Sequence, residues 1–71
     1  MLKKLKQMPD KSFKGQFVGV WEFNNKLWSD TLRWNDRGYL EYYNDENDDF
    51  ETGKGTCPDA EITWFIIKGD E

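Results

Sequence analysis

The sequence has no histidine, one cysteine, two prolines and no apolar run long enough to cross a membrane, and each shortage removes a class of function. Without histidine, neither a Ser-His-Asp nor a Cys-His arrangement can be assembled. A lone Cys57 excludes an internal disulfide and fits a reducing compartment, so an inert thiol in a cytoplasmic protein is expected. The first residues, Met1-Leu2-Lys3-Lys4-Leu5, carry lysines but no apolar leader core or small-residue cleavage site, and no membrane partner is expected. Carboxylates are plentiful, but nothing in their spacing sets two across a cleft. No enzyme activity, catalytic residue, resident metal or cofactor is therefore expected.

What the sequence does have is aromatic bulk: four Trp, three Tyr and five Phe in 71 residues. A chain this short forms one domain, residues 1–71, and buries only roughly 60% of the surface its unfolded form exposes. With neither a disulfide framework nor a metal site to staple it, the large rings must supply the core.

Charge is uneven along the chain. Residues 1–14 hold Lys3, Lys4, Lys6, Lys11 and Lys14 against Asp10 alone, a net +4, while the rest has five basic and thirteen acidic groups, a net −8. Residues 1–14 read as a basic arm and residues 16–68 as the folded body. A body this acidic repels phosphate, and nucleic acid is disfavoured as a partner.

Turn signals cut the body into strand-length segments. Residues 16–23 are rich in β-formers and lead into Asn24-Asn25, a pair that tolerates the positive φ angles of a two-residue type I′ hairpin loop. Residues 26–34 form the returning strand, which sets Phe23 against Lys26, Trp21 against Trp28 and Phe17 against Leu32 on one face. A three-residue loop, Asp36-Arg37-Gly38, with Gly38 left-handed then pairs Asn35 with Tyr39, Trp34 with Leu40, Leu32 with Tyr42, and Arg33 with Glu41 on the opposite face. A four-residue loop would set Leu32 against Glu41 and waste the apolar pattern.

One face of this meander is strongly aromatic, carrying Phe17, Trp21, Phe23, Trp28, Leu32, Trp34, Leu40 and Tyr42. The other is half apolar, with Val18, Val20, Leu27, Tyr39 and Tyr43 among charged residues. Residues 62–67, Ile-Thr-Trp-Phe-Ile-Ile, are apolar on both sides and read as a strand buried on both faces, which cannot be left on an open edge. Glu61 before it and Lys68, Asp70 and Glu71 after it read as gatekeepers against aggregation. In the arm, Leu2, Leu5 and Met8 are compatible with two helical turns before Pro9, or with an added strand. The expected fold is mostly β: a small antiparallel meander of about four strands, a twisted sheet or partial barrel, with a short N-terminal helix or strand packed on it.

Three motifs fail on their own chemistry. The run Asp45-Glu46-Asn47-Asp48-Asp49 has the opening spacing of an EF-hand loop, but Phe50 stands where the loop needs Gly and Thr56 where it needs Glu. Gly53-Lys54-Gly55-Thr56 lacks the spacing of a phosphate loop and reads as a turn. Gly19-Val20-Trp21-Glu22-Phe23 and Gly38-Tyr39-Leu40-Glu41-Tyr42 share a pattern that resembles the hairpin units of MORN-type repeats, but two copies are what any pair of hairpin strands produces.

The features that remain point to binding. Asp45, Glu46, Asp48, Asp49 and Glu51 put five carboxylates in seven residues after a hairpin, where they would steer the protein onto a basic surface of a larger protein. On the half-apolar face, Arg33, Tyr39, Glu41 and Tyr43 are the expected contact residues, because partly exposed Arg and aromatic groups anchor interfaces. In its short, acidic, aromatic-rich character the chain resembles the small accessory proteins of phages and other mobile elements. That resemblance implies an inhibitor or modulator of a larger host protein. The other readings are a single-stranded nucleic-acid module using the lysine arm and exposed aromatics, and a homo-oligomer assembled through the 62–67 strand.

Overall fold

A computed structural model describes residues 2–53 and 60–69 of the chain. The fold grows from one local event, the turn at Asn24 and Asn25, whose φ angles of 53° and 62° are those of a type I′ loop. It joins β2 (Gly15–Phe23) to β3 (Lys26–Trp34), and the expected pairs Phe17↔Leu32, Trp21↔Trp28 and Phe23↔Lys26 form. The second turn also follows its chemistry. Gly38 takes φ 82°, Asn35 N–H donates to Tyr39 O at 2.9 Å, and β4 (Leu40–Asn44) returns with Trp34↔Leu40, Arg33↔Glu41 and Leu32↔Tyr42 in register.

Two further strands extend this meander. β5 (Asp49–Thr52) folds back on β4, and β6 (Thr63–Gly69) lies on the other side of β2. β1 (Lys3–Leu5) pairs with the far side of β6, so the spatial order is β1-β6-β2-β3-β4-β5, all antiparallel. The apolar β6 thus has a neighbouring strand on each side and is not left on an open edge. The expectation of a strand buried on both faces is corrected: the side chains of residues 62–66 are only partly buried, since one face of the sheet has no cover among the described residues. Its last apolar residue, Ile67, is nevertheless exposed, at a bulge where the β2–β6 register shifts between Gln16 and Phe17.

One more expectation is corrected and two open alternatives are decided, for a strand over a helix in the arm and for a twisted sheet over a partial barrel. There are six strands rather than about four, because the acidic stretch supplies β5 and the arm supplies β1. Among the described residues there is no helix: the arm gains more by hydrogen-bonding the open side of β6 than by forming two isolated turns before Pro9. The sheet does not close into a barrel, since its outermost strands, β1 and β5, have only 3 and 4 residues and do not pair with each other. Cys57, residues 54–56 of the glycine-lysine turn, and the charges at Asp70 and Glu71 lie outside the described residues.

The core sits mainly on the aromatic face of the sheet, with Val18 the buried residue of the other face. Phe17 and Leu32 are fully buried and Trp21 nearly so. Phe17 is packed edge-on by Phe13 from above and by Trp64 from β6, at ring separations of 6.2 and 5.8 Å. The covering layer is the connection between β1 and β2, residues 6–14. It is pinned where Trp34 Nε1 donates to Pro9 O at 3.0 Å, and it turns at Asp10, whose carboxylate accepts from Ser12 N–H at 3.0 Å. Opposite Leu32's neighbours, Gly19 leaves room for Trp64: a Cβ there would stand 2.8 Å from the indole Cζ3.

Candidate functional site

The opposite face of the sheet has no covering layer among the described residues, and side chains from β3, β4 and β5 meet on it. Alternation from the Arg33↔Glu41 and Tyr43↔Phe50 pairs puts all four residues on this face. Arg33 Nε donates to Glu41 Oε1 at 2.8 Å, and its guanidinium carbon lies 4.0 Å from the centre of the Phe50 ring. Phe50 packs edge-on against Tyr43 at 5.5 Å, and the Tyr43 hydroxyl donates to Asp48 Oδ1. The result is a continuous string, Glu41-Arg33-Phe50-Tyr43-Asp48, with two rings at its centre and charges at both ends.

This string borders a hollow of about 280 Å³ lined by Gln16, Thr31, Tyr43, Phe50 and Ile67. Ile67 stands on β6 and Tyr43 on β4, with β2 and β3 between them, a separation of roughly 14 Å in a flat sheet at about 4.8 Å per strand. Their shared hollow means that the sheet curls toward this face. A larger hollow of about 560 Å³ lies on the core side between residues 6–14 and Ile66. Its only carboxylate, Asp10, is occupied by Ser12, so the polar cluster is on the curled face.

The acidic turn between β4 and β5 is held by asparagines. Asn44 Oδ1 accepts from Glu46 N–H at 3.0 Å, and Asn44 and Asn47 donate their side-chain amides to Glu51 Oε2 at 2.7 and 2.5 Å. Asp48 adopts φ 51°, a left-handed position that Asp tolerates. The carboxylates therefore do not form one patch. Asp45, Glu46 and Asp49 are exposed around the turn. Asp48 is tied to Tyr43, while Asp49 and Glu51 pair with Asn44 and Tyr42, which places both on the core side of the sheet.

Electrostatics in the string are set by hydrogen bonding. The Arg33 bond holds the Glu41 carboxyl below its ordinary value. The Asp48 bond holds the Tyr43 hydroxyl above its ordinary value, with desolvation and the carboxylates of Asp48, Asp45 and Asp49 adding to it. Near neutral pH, Glu41 is thus charged and Tyr43 neutral. Among the described residues no three His, Cys, Asp or Glu side chains are grouped to hold a metal ion.

Of the residues expected from sequence, the structure brings together Arg33, Glu41, Tyr43 and Asp48. Tyr39 stands apart and exposed on the β3–β4 loop, where its N–H donates to Asn35 Oδ1 at 2.9 Å. Sequence reasoning missed Phe50, the residue that joins the two halves of the string. Its signal was an apolar ring alternating with acids directly after an Asn/Asp turn, which is the pattern of a short return strand. The chain matches no protein-family model, no curated protein and no solved structure.

Proposed function

We propose that the chain is a non-enzymatic protein-interaction module that docks on a basic surface of a larger protein and modulates it. The observation that carries this reading is the uncovered, curled face with its string of Arg33, Phe50, Tyr43 and Asp48 around a shallow hollow, beside the exposed turn carboxylates Asp45 and Glu46. Arg and Tyr with rings already packed lose little side-chain freedom on binding, and so suit an anchor role. The net −8 outside the basic arm supplies long-range attraction to a basic partner. An inhibitor of the kind found among phage accessory proteins fits this surface, and a cytoplasmic location fits the single cysteine.

The experiment compares capture of partners from a cell lysate by three immobilised proteins: wild type, a variant with Asp45, Glu46, Asp48 and Asp49 changed to their amides, and Tyr43→Ala. The reading expects one basic protein retained by wild type, released as salt rises, and lost from both variants. Retention by all three with the same salt dependence overturns it.

A further inference from the structure

The β2–β3 hairpin is longer than the sheet that holds it. Pairing with β6 ends at Val20↔Thr63, and pairing with β4 reaches only Leu32↔Tyr42, while the two hairpin strands continue to the Phe23↔Lys26 pair. β4 itself runs on to Asn44 but pairs there with β5 alone. Among the described residues, β3 therefore has β2 on one side from Lys26 to Thr31 and no strand on the other.

The turn fixes which backbone groups that open side presents. A two-residue loop closes on a hydrogen-bonded pair, here Phe23↔Lys26, and alternation makes Trp21↔Trp28 another. The N–H and C=O groups of Lys26 and Trp28 thus point inward to β2, and those of Leu27 and Ser29 point outward. Asn35 N–H, of the same odd parity, donates across to Tyr39 on that outward side. The edge is also flanked by exposed apolar surface: Leu27 is 78% exposed on one face, and Phe23 and Trp28 are about half exposed on the other.

We propose that this edge is a self-recognition strand, which takes the same edge of a second copy of the chain in antiparallel pairing centred on Trp28. Charge chooses the occupant. Lys26 and Asp30 lie on the same face as Trp28, two residues to either side of it, so a two-fold axis through Trp28 sets each Lys26 against Asp30 of the other copy. Leu27 and Ser29 then exchange their outward hydrogen bonds with Ser29 and Leu27 of the copy. The two Trp28 positions stand opposite each other at the axis, each indole leaning back over its own β2, where Nε1 donates to Phe23 O at 3.1 Å. Parallel pairing would place like charges side by side, and shifting the antiparallel register by one pair loses both ion pairs. Asp30 has the need for such a partner: it is half-buried, makes no ion pair among the described residues, and its burial disfavours the charged form. Charges on an open strand normally discourage pairing. Opposite charges arranged symmetrically about a tryptophan discourage every neighbour except a copy.

Sedimentation equilibrium from low micromolar to millimolar concentration tests this on the full chain. Wild type forms a dimer whose population rises with concentration. Lys26→Asp weakens it by about tenfold or more, since both cross-pairs turn repulsive, and the double exchange Lys26→Asp with Asp30→Lys restores it. A second measurement fixes the register. Trp28→Cys in a Cys57→Ser background forms a disulfide-linked dimer under mild oxidation, because directly opposed residues in a non-hydrogen-bonded pair lie within disulfide reach, whereas Lys26→Cys in the same background does not. A wild type that stays monomeric throughout overturns the proposal. So does a dimer that is indifferent to the charge exchange or that fails to cross-link at position 28, either of which would place the contact on another surface or another strand.

Discussion

The root and the tip of the β2–β3 hairpin are built from the same alternation, the same turn and the same kinds of side chain, yet they fare differently. At the root, Phe17 and Leu32 face each other with no exposed surface; at the tip, on the same face, Phe23 and Trp28 remain about half exposed. The strand periodicity decides only which face a side chain takes. A second layer deepens burial, and among the described residues one lies over the root, where Phe13 and Pro9 of the 6–14 connection lie against Phe17 and Trp34. The nine residues of that connection reach no further, and at the tip Phe23 and Trp28 stay about half exposed.

The sharpest way to break this comparison is to truncate one side chain at each end. Leu32→Ala at the root removes a fully buried side chain and leaves a cavity, at a cost of about 2–5 kcal/mol. Leu27→Ala at the tip changes stability by less than about 0.5 kcal/mol in dilute solution. Urea unfolding followed by tryptophan fluorescence measures both, and comparable losses at the two positions would mean that the tip is covered after all.

The next effect sharpens how tightly the root is filled. Gly19→Ala introduces a Cβ that would meet Trp64 at 2.8 Å and Ile62 at 3.0 Å. Both neighbours are themselves packed into the core face, so overpacking of about 1–3 kcal/mol is expected in the same unfolding experiment. A neutral Gly19→Ala would show that Trp64 can move aside and that the contact with Phe17 is loose.

A smaller effect sits at the turn itself. Asn25 already occupies a left-handed conformation at φ 62°, one that glycine adopts without the Cβ penalty, so Asn25→Gly stabilises the hairpin by less than about 1 kcal/mol. A loss of stability would mean that the asparagine side chain contributes more than its backbone preference. Since the mutation lies beyond the covered root, its whole effect reports on the ribbon.

These differences also explain what the residues disclose on their own. Asn24-Asn25 and Gly38 announced both turns, and through them the register of three strands, because turn chemistry is local and strand parity follows from it. The Arg33–Glu41 pair was legible for the same reason. β1 was not: three residues choose a strand over a helical turn only because β6 offers them an open side, and that is a contact across some sixty positions of sequence. β5 was hidden by its acids, which make a four-residue strand look like loop, and with it went Phe50 and the continuity of the curled face. The exposed state of Trp28 was hidden because alternation says nothing of where the cover ends.

The smallest effects lie at two carboxylates on opposite faces of the sheet, Asp30 on β3 and Glu41 on β4, where pH acts in opposite directions. Glu41, below its ordinary 4.5 because Arg33 donates to it, contributes stability that is fully present above that value and is lost as pH falls through the depressed one. Asp30, raised from 3.8 by burial, behaves the other way: its cost is absent at low pH, where the carboxyl is protonated in both folded and unfolded chains, and appears as pH rises through its raised value. Denaturant unfolding of dilute protein between about pH 3 and about pH 7 separates them. Glu41→Gln flattens the acid side of the profile, and Asp30→Asn gains stability over wild type that grows toward neutral pH. At high protein concentration the gain at Asp30 should shrink, because pairing two copies gives the carboxylate the lysine it lacks in the monomer. A gain that is the same at every concentration would leave Asp30 as a plain desolvated acid and the hairpin tip without a partner.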